Sequence, residues 1–321
     1  MKHKLFAALL AAALLLTTAC GGGSAPTGQE DDTLHILATT YPVYLFTTAV
    51  TEGVEGVEVT RLITEEVSCL HDYTLSVSDM KAIEAADVIV MNGAGLEDFM
   101  NDALARSEAA VIDCSEGVEL LPATGHHDHD PDEEEDGDHY DPHFWLDPGR
   151  AARMVENIQA GLSLADPDRT DTYQENLATA QGQLRRCDVL LKDILCNDQR
   201  PLAGRELITF HDGFQYFADA YDLIILKAIE EEEGAEASAA EIREIVDLIK
   251  EHDLPVIFTE RNGSESTAQA IARETGCAVV QLDLLMSDSG VPDVGILGYW
   301  DAIEENAIAI FNGFAGEEIW S

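Results

Sequence analysis

Eight short, almost wholly apolar runs punctuate this chain, four in each half, with helical patterns or loops between them. In the first half they are Leu34–Ala38, Val57–Ile63, Asp87–Asn92 and Ala110–Asp113. In the second they are Leu207–Phe210, Leu223–Lys227, Pro255–Thr259 and Ala278–Leu282. Runs that are apolar throughout, rather than alternately apolar and polar, belong in parallel sheets covered on both faces. The expected fold class is α/β: two (β/α) lobes with parallel sheets, spanning 34–164 and 198–321.

The segment 165–197 between them is of another kind. Tyr173, Leu177, Ala180, Leu184, Cys187, Leu191 and Ile194 recur at intervals of four and three, which keeps one helical face apolar. Asp166-Pro167-Asp168 supplies a start, with proline in the first turn and an acid at the positive end of the helix dipole. Unbroken to Leu195, this helix would be roughly 45 Å long and would brace both lobes. The alternative is two ordinary helices with a break near Gly182.

Residues 1–20 read as targeting sequence. Lys2 and Lys4 precede an apolar run, Phe6–Leu16, and Thr17-Thr18-Ala19-Cys20 is a small-residue cleavage site ending in cysteine. This resembles a bacterial lipoprotein signal (1–20), with Thr17 where an aliphatic residue is usual. It implies lipidation of Cys20, a flexible tether over 21–33, and attachment to the outer face of the cytoplasmic membrane. A plain secretory signal followed by a free cysteine is the alternative.

Charge excludes one class of partner. With 62 acidic against 18 basic residues and a formal net charge of −44, the chain is unsuited to nucleic acid and to anionic lipid surfaces, whereas cations suit it. Five cysteines follow Cys20, namely Cys69, Cys114, Cys187, Cys196 and Cys277, and no Cys-x-x-Cys pair exists, which argues against a zinc ribbon. An export signal permits disulfides, and Cys69 with Cys114 is the expected bridge because both fall at strand or loop ends of the first half.

Three histidines sit in separate short motifs: Cys69-Leu70-His71-Asp72-Tyr73, Asp141-Pro142-His143-Phe144-Trp145-Leu146-Asp147-Pro148, and Phe210-His211-Asp212-Gly213-Phe214. Neutral imidazole suits a borderline-soft divalent cation, and three of them leave a fourth tetrahedral position for a carboxylate or water.

The order of these motifs resembles the zinc-binding lipoproteins that serve as solute-binding subunits of metal ABC importers, the cluster A-I group. Tyr41-Pro42-Val43-Tyr44, Asn92-Gly93-Ala94-Gly95-Leu96-Glu97, Phe258-Thr259-Glu260 and Glu274-Thr275-Gly276 extend the resemblance over 34–310. It implies two lobes joined by one rigid helix, a metal site in the cleft between them, and His71, His143 and His211 as ligands. Cys69-Leu70 and Leu75 depart from the family pattern around the first ligand. Manganese-binding relatives tend to carry a carboxylate at the position of His211, so imidazole there favours Zn²⁺. The resemblance places the fourth ligand in the loop after the last strand, at Asp288, with Asp283, Glu260 or water as alternatives. Glu260 would otherwise hydrogen-bond a ligand histidine. An ABC permease and its ATPase are the implied partners of a monomeric binding protein.

Two acidic stretches remain. Gly125–His139 carries His126, His127, His129 and His139 amid carboxylates, and is expected to be disordered without metal and to bind zinc weakly, the alternative being a solvated linker. Glu230-Glu231-Glu232-Glu233-Gly234 reads as a solvated loop or as a contact for basic patches of a transporter. It precedes an amphipathic segment over Ala239–Lys250. A secreted metalloenzyme could also use three histidines, but His-Glu-x-x-His, Gly-x-Ser-x-Gly and phosphate-loop motifs are absent from the sequence. A manganese- or iron-binding relative, or an adhesin-like, metal-buffering lipoprotein, would share the fold and the site.

Overall fold

A computed structural model describes residues 33–64, 70, 73–123, 139–230, 237–261, 265–287 and 295–320. In chain order its elements are β1 (Leu34–Ala38), α1 (Tyr41–Val50), β2 (Val57–Arg61), α2 (Val77–Ala85), β3 (Val88–Met91), α3 (Asn101–Leu104) and β4 (Ala110–Asp113). Then come α4 (Pro148–Ala165) and α5 (Thr170–Leu195), followed by β5 (Glu206–His211), α6 (Gln215–Ala220), β6 (Ile224–Glu230), α7 (Ala239–His252), β7 (Val256–Glu260), α8 (Glu265–Thr275), β8 (Ala278–Leu282) and α9 (Ile296–Ala315).

The strands form two parallel four-stranded sheets, ordered β2-β1-β3-β4 and β6-β5-β7-β8. In both, the order reverses between two central strands. Side chains and ligands gather beyond the carboxyl ends of strands at such a switch point, because the connections there leave in opposite directions and open a crevice. In the second sheet this point lies between β5 and β7, whose last residues are His211 and Glu260.

Period-two alternation explains how wholly apolar strands are used. Leu207, Val256 and Phe258 join the large core that continues into the first sheet, whereas Ile208, Phe210 and Ile257 point to the other face, under α7 and α8. The large core runs without interruption from Ile36, Leu37 and Val88–Val90 of the first sheet through α1, α4, α5 and α9 to the second. The helices between the sheets therefore belong to both.

α5 runs 26 residues without a break, about 39 Å at 1.5 Å per residue, and buries the predicted stripe from Tyr173 to Ile194. The expected start is tighter than α-helix: Pro167–Arg169 form a 3₁₀ turn, and Asp166 accepts hydrogen bonds from Tyr173 Oη at 2.7 Å and Arg169 Nη1 at 2.8 Å. Gly182 is tolerated because its neighbours leave room and its backbone stays helical. α7 begins at a capping box in which Ser238 Oγ accepts the Glu241 N–H while the Glu241 carboxylate accepts the Ser238 N–H. Its last turn ends at Asp253 in the left-handed region, at φ 52°.

One expectation fails. Cys114 is fully buried with a free thiol, so no bridge joins it to Cys69, which lies outside the described residues. Cys114 points inward from the end of β4 into the large core, and burial pushes its thiol well above the usual range, suppressing the thiolate that exchange requires. Cys187, Cys196 and Cys277 are free as well. No helix among the described residues is long and apolar enough to cross a membrane.

Candidate metal centre

Two of the predicted ligands meet. His211 closes β5, and His143 lies just before a 3₁₀ turn, Phe144–Leu146, that leads into α4. Their Nε2 atoms stand 3.3 Å apart, with ring planes at 85° and both residues almost wholly buried.

Local chemistry sets which nitrogen faces inward. Asp141 Oδ1 accepts the backbone N–H of His143 at 2.9 Å and lies 2.7 Å from its Nδ1. A carboxylate can only accept, so Nδ1 carries the proton and Nε2 presents its lone pair to His211. On the other ring, Glu260 Oε1 is 3.9 Å from His211 Nδ1, on the edge away from His143. Both imidazoles thus have an acid on the Nδ1 side and face each other through Nε2, and for His143 the 2.7 Å contact with Asp141 is the kind by which a carboxylate orients a histidine ring.

The floor of the pair is Gly213. A Cβ at that position would stand 2.9 Å from His211 Cδ2 and from Leu284 Cδ2, and 3.3 Å from His143 Cδ2, so only hydrogen fits. Trp145 closes one side, its ring 5.2 Å from that of His143, its Nε1–H donating to Leu284 O at 2.9 Å and its carbonyl accepting Tyr299 Oη at 2.7 Å.

The other predicted residues divide into three groups. His71 and Asp288, and His126, His127 and His129 of the acidic insertion, lie outside the described residues. His139 is described and exposed, with its carbonyl accepting the Ala123 N–H at 3.0 Å. Asp283 is turned elsewhere: its Oδ1 accepts the Leu285 N–H at 2.7 Å and its Oδ2 lies 3.4 Å from Arg261 Nε. Burial holds that carboxyl above the usual range, opposed by the Leu285 N–H and by Arg261. Among the described residues, no three His, Cys, Asp or Glu side chains come together in a way that could hold a metal ion.

The description "Zinc-uptake complex component A periplasmic", the ZnuA family, matches residues 36–313. The chain belongs to this family. It is 30% identical over 284 residues to the high-affinity zinc uptake system protein ZnuA of Bacillus subtilis, covering 87% of each chain. It is 29% identical over 287 residues to the zinc-binding lipoprotein AdcA of Streptococcus pneumoniae, covering 88% of this chain and 56% of AdcA. The chain thus spans little more than half the length of its AdcA relatives. A crystal structure of ZnuA superposes with a TM-score of 0.74 at 28% identity, covering 88% of this chain and 99% of that one. Zn(II)-bound AdcA from Streptococcus pneumoniae gives 0.71 at 28% identity, covering 89% and 59%.

Within this ZnuA-family frame, three contributors to the site escape sequence reasoning. Asp141 stands in the Asp-Pro-His motif, and its two-residue offset from His143 was a usable sign of an acid folding back onto the ring. Gly213 was visible as part of the His211 motif, but its contact with His143 and Leu284 is non-local. Tyr216, whose hydroxyl donates to Asp141 O at 2.6 Å, carried no sign at all.

Proposed function

We propose that the protein captures Zn²⁺ outside the cytoplasmic membrane and hands it to an ABC permease and its ATPase for import. The observation that carries this reading is the 3.3 Å between the two Nε2 atoms. A tetrahedral zinc with Zn–N bonds of about 2.0–2.1 Å requires a ligand-to-ligand edge of roughly 3.3–3.4 Å. The pair is spaced for a zinc ion bound by both rings.

His71 and Asp288 complete the coordination in this reading, with water able to replace Asp288, and Glu260 orients His211. The histidines of the insertion, His126, His127, His129 and His139, form a weaker site that raises local zinc concentration. Cys20 carries the lipid anchor after removal of 1–20, 21–33 is the tether, and the lobes 34–164 and 198–321 flank the linking helix 165–197 in a monomer. The protein binds and releases its cargo without bond-making chemistry. Family membership and the zinc-binding names of its relatives support the capture of Zn²⁺ and its delivery for import.

Competitive titration of the purified mature protein with Zn²⁺ and Mn²⁺ tests the reading. One tight Zn²⁺ is expected, with weaker further binding and much weaker Mn²⁺, and His143→Ala or His211→Ala should each abolish the tight event. Equal affinities for the two ions would contradict it.

A further inference from the structure

Besides the sheets and the long helix, a shorter connection joins the two histidines. Tyr216 lies at the start of α6, five residues after His211. It is fully buried, its hydroxyl donating to Asp141 O at 2.6 Å and accepting the Leu121 N–H at 2.9 Å. Leu121 and Asp141 already face each other, with Asp141 N–H donating to Leu121 O at 2.9 Å and a Pro122–Tyr140 bridge one rung further out. Asp141 then grips His143 through its carboxylate. From the helix that follows one histidine to the ring of the other, the path is one phenol and one aspartate.

The phenol is also held in place. The Arg150 guanidinium lies over its ring at 4.7 Å and is itself tied to Glu119 O, Asp147 and Asp219, the last on α6. Phe144 meets the ring edge-on. Burial pushes the hydroxyl up to about 12, so its proton remains available to Asp141 O throughout the physiological range.

We propose that Tyr216 is a positioning residue that fixes the spacing and angle between His143 and His211. Through that spacing it sets the preference of the site for a small tetrahedral cation over one that demands six oxygen ligands. The inference rests on the zinc-capture reading above. Sites of this kind work only when their ligands are held to within about half an ångström, and a buried hydrogen bond to the backbone beside the ligand supplies such a hold.

The test compares wild type, Tyr216→Phe and Tyr173→Phe in Zn²⁺ and Mn²⁺ titrations and in the visible spectrum of the Co²⁺-loaded protein. Tyr173 is the matched control, equally buried and donating to Asp166 at 2.7 Å. Tyr216→Phe should weaken Zn²⁺ roughly 10- to 100-fold, narrow the Zn²⁺/Mn²⁺ ratio and shift the Co²⁺ bands. Tyr173→Phe should lower thermal stability to a similar degree and leave all three readouts unchanged. Unchanged Zn²⁺ affinity and Co²⁺ spectrum in Tyr216→Phe would overturn the proposal, as would equal shifts in the control. Should Tyr216→Phe fail to fold, 4-fluorophenylalanine at 216 replaces it in the same titrations, and failure of both to fold would make the hydroxyl a requirement of the fold and overturn the positioning role. Wild-type protein without tight Zn²⁺ binding would instead contradict the capture reading itself.

Discussion

Two buried imidazoles set almost at right angles and meeting through Nε2 need help from their neighbours, since each ring has two nitrogens and only one can face the other ring. Asp141 supplies that help to His143 from the Nδ1 side, Glu260 lies 3.9 Å from His211 Nδ1, and Gly213 leaves the space into which the rings fit. Gly213→Ala should therefore be felt at the site: its Cβ would stand 2.9 Å from both the His211 ring and Leu284. Overpacking of this kind costs about 1–3 kcal/mol. Because the rings are what must move, calorimetry should show Zn²⁺ binding weakened about tenfold or more. Unaltered affinity would mean that the rings have slack. His143 and His211 were legible in the sequence because imidazole in an aromatic, apolar motif is a chemical signal by itself. The space they require at Gly213 was not, because it depends on Leu284, more than seventy residues away.

Elements place these residues, and their strand ends do so most directly. In the first sheet the place equivalent to the His211–Glu260 switch point is occupied by Glu97, which accepts Thr39 Oγ1 at 2.6 Å and the N–H groups of Asn92 and Gly93 at 2.7 and 3.0 Å. Asn92 Nδ2 in turn donates to Pro142 O at 3.0 Å, beside His143. Burial raises the Glu97 carboxyl from 4.5 to about 7 despite these three donors. A carboxyl raised on folding contributes stability that is complete below 4.5 and is lost as pH rises through about 7. In metal-free protein the loss across this window is about 3 kcal/mol. Urea unfolding at pH 5 and pH 8 should show Glu97→Gln losing less stability than wild type between the two, and parallel losses would contradict the assignment. Strands were legible to within a few residues, since a run of β-branched residues too short for a helix leaves little choice. α5 was legible from its stripe. α4 is less legible: Ala151, Met154, Val155, Ile158 and Leu162 keep helical spacing, but Gly149, Ala152 and Gly161 dilute the apolar signal.

At the scale of the whole molecule, the two sheets are not independent bodies on a hinge. α1, α4, α5 and α9 bury one continuous core against both, and Trp145–Leu284, Tyr299–Trp145 and Tyr216–Asp141 hydrogen bonds bind residues far apart in the chain beside the histidines. Preorganisation of this kind lowers the ordering cost of binding and leaves little room for large closure. The two-lobe plan was legible because strand and helix patterns repeat across the halves, whereas the cross-ties depend on three-dimensional neighbours that no local pattern announces. The central claim is that one zinc ion is held between the lobes by His143 and His211 together. X-ray absorption at the zinc edge, on protein loaded with a single equivalent of Zn²⁺, tests it most directly. The account predicts a nitrogen and oxygen shell at about 2.0–2.1 Å with imidazole scattering that diminishes in both His143→Ala and His211→Ala. Imidazole scattering unchanged by either substitution would contradict it.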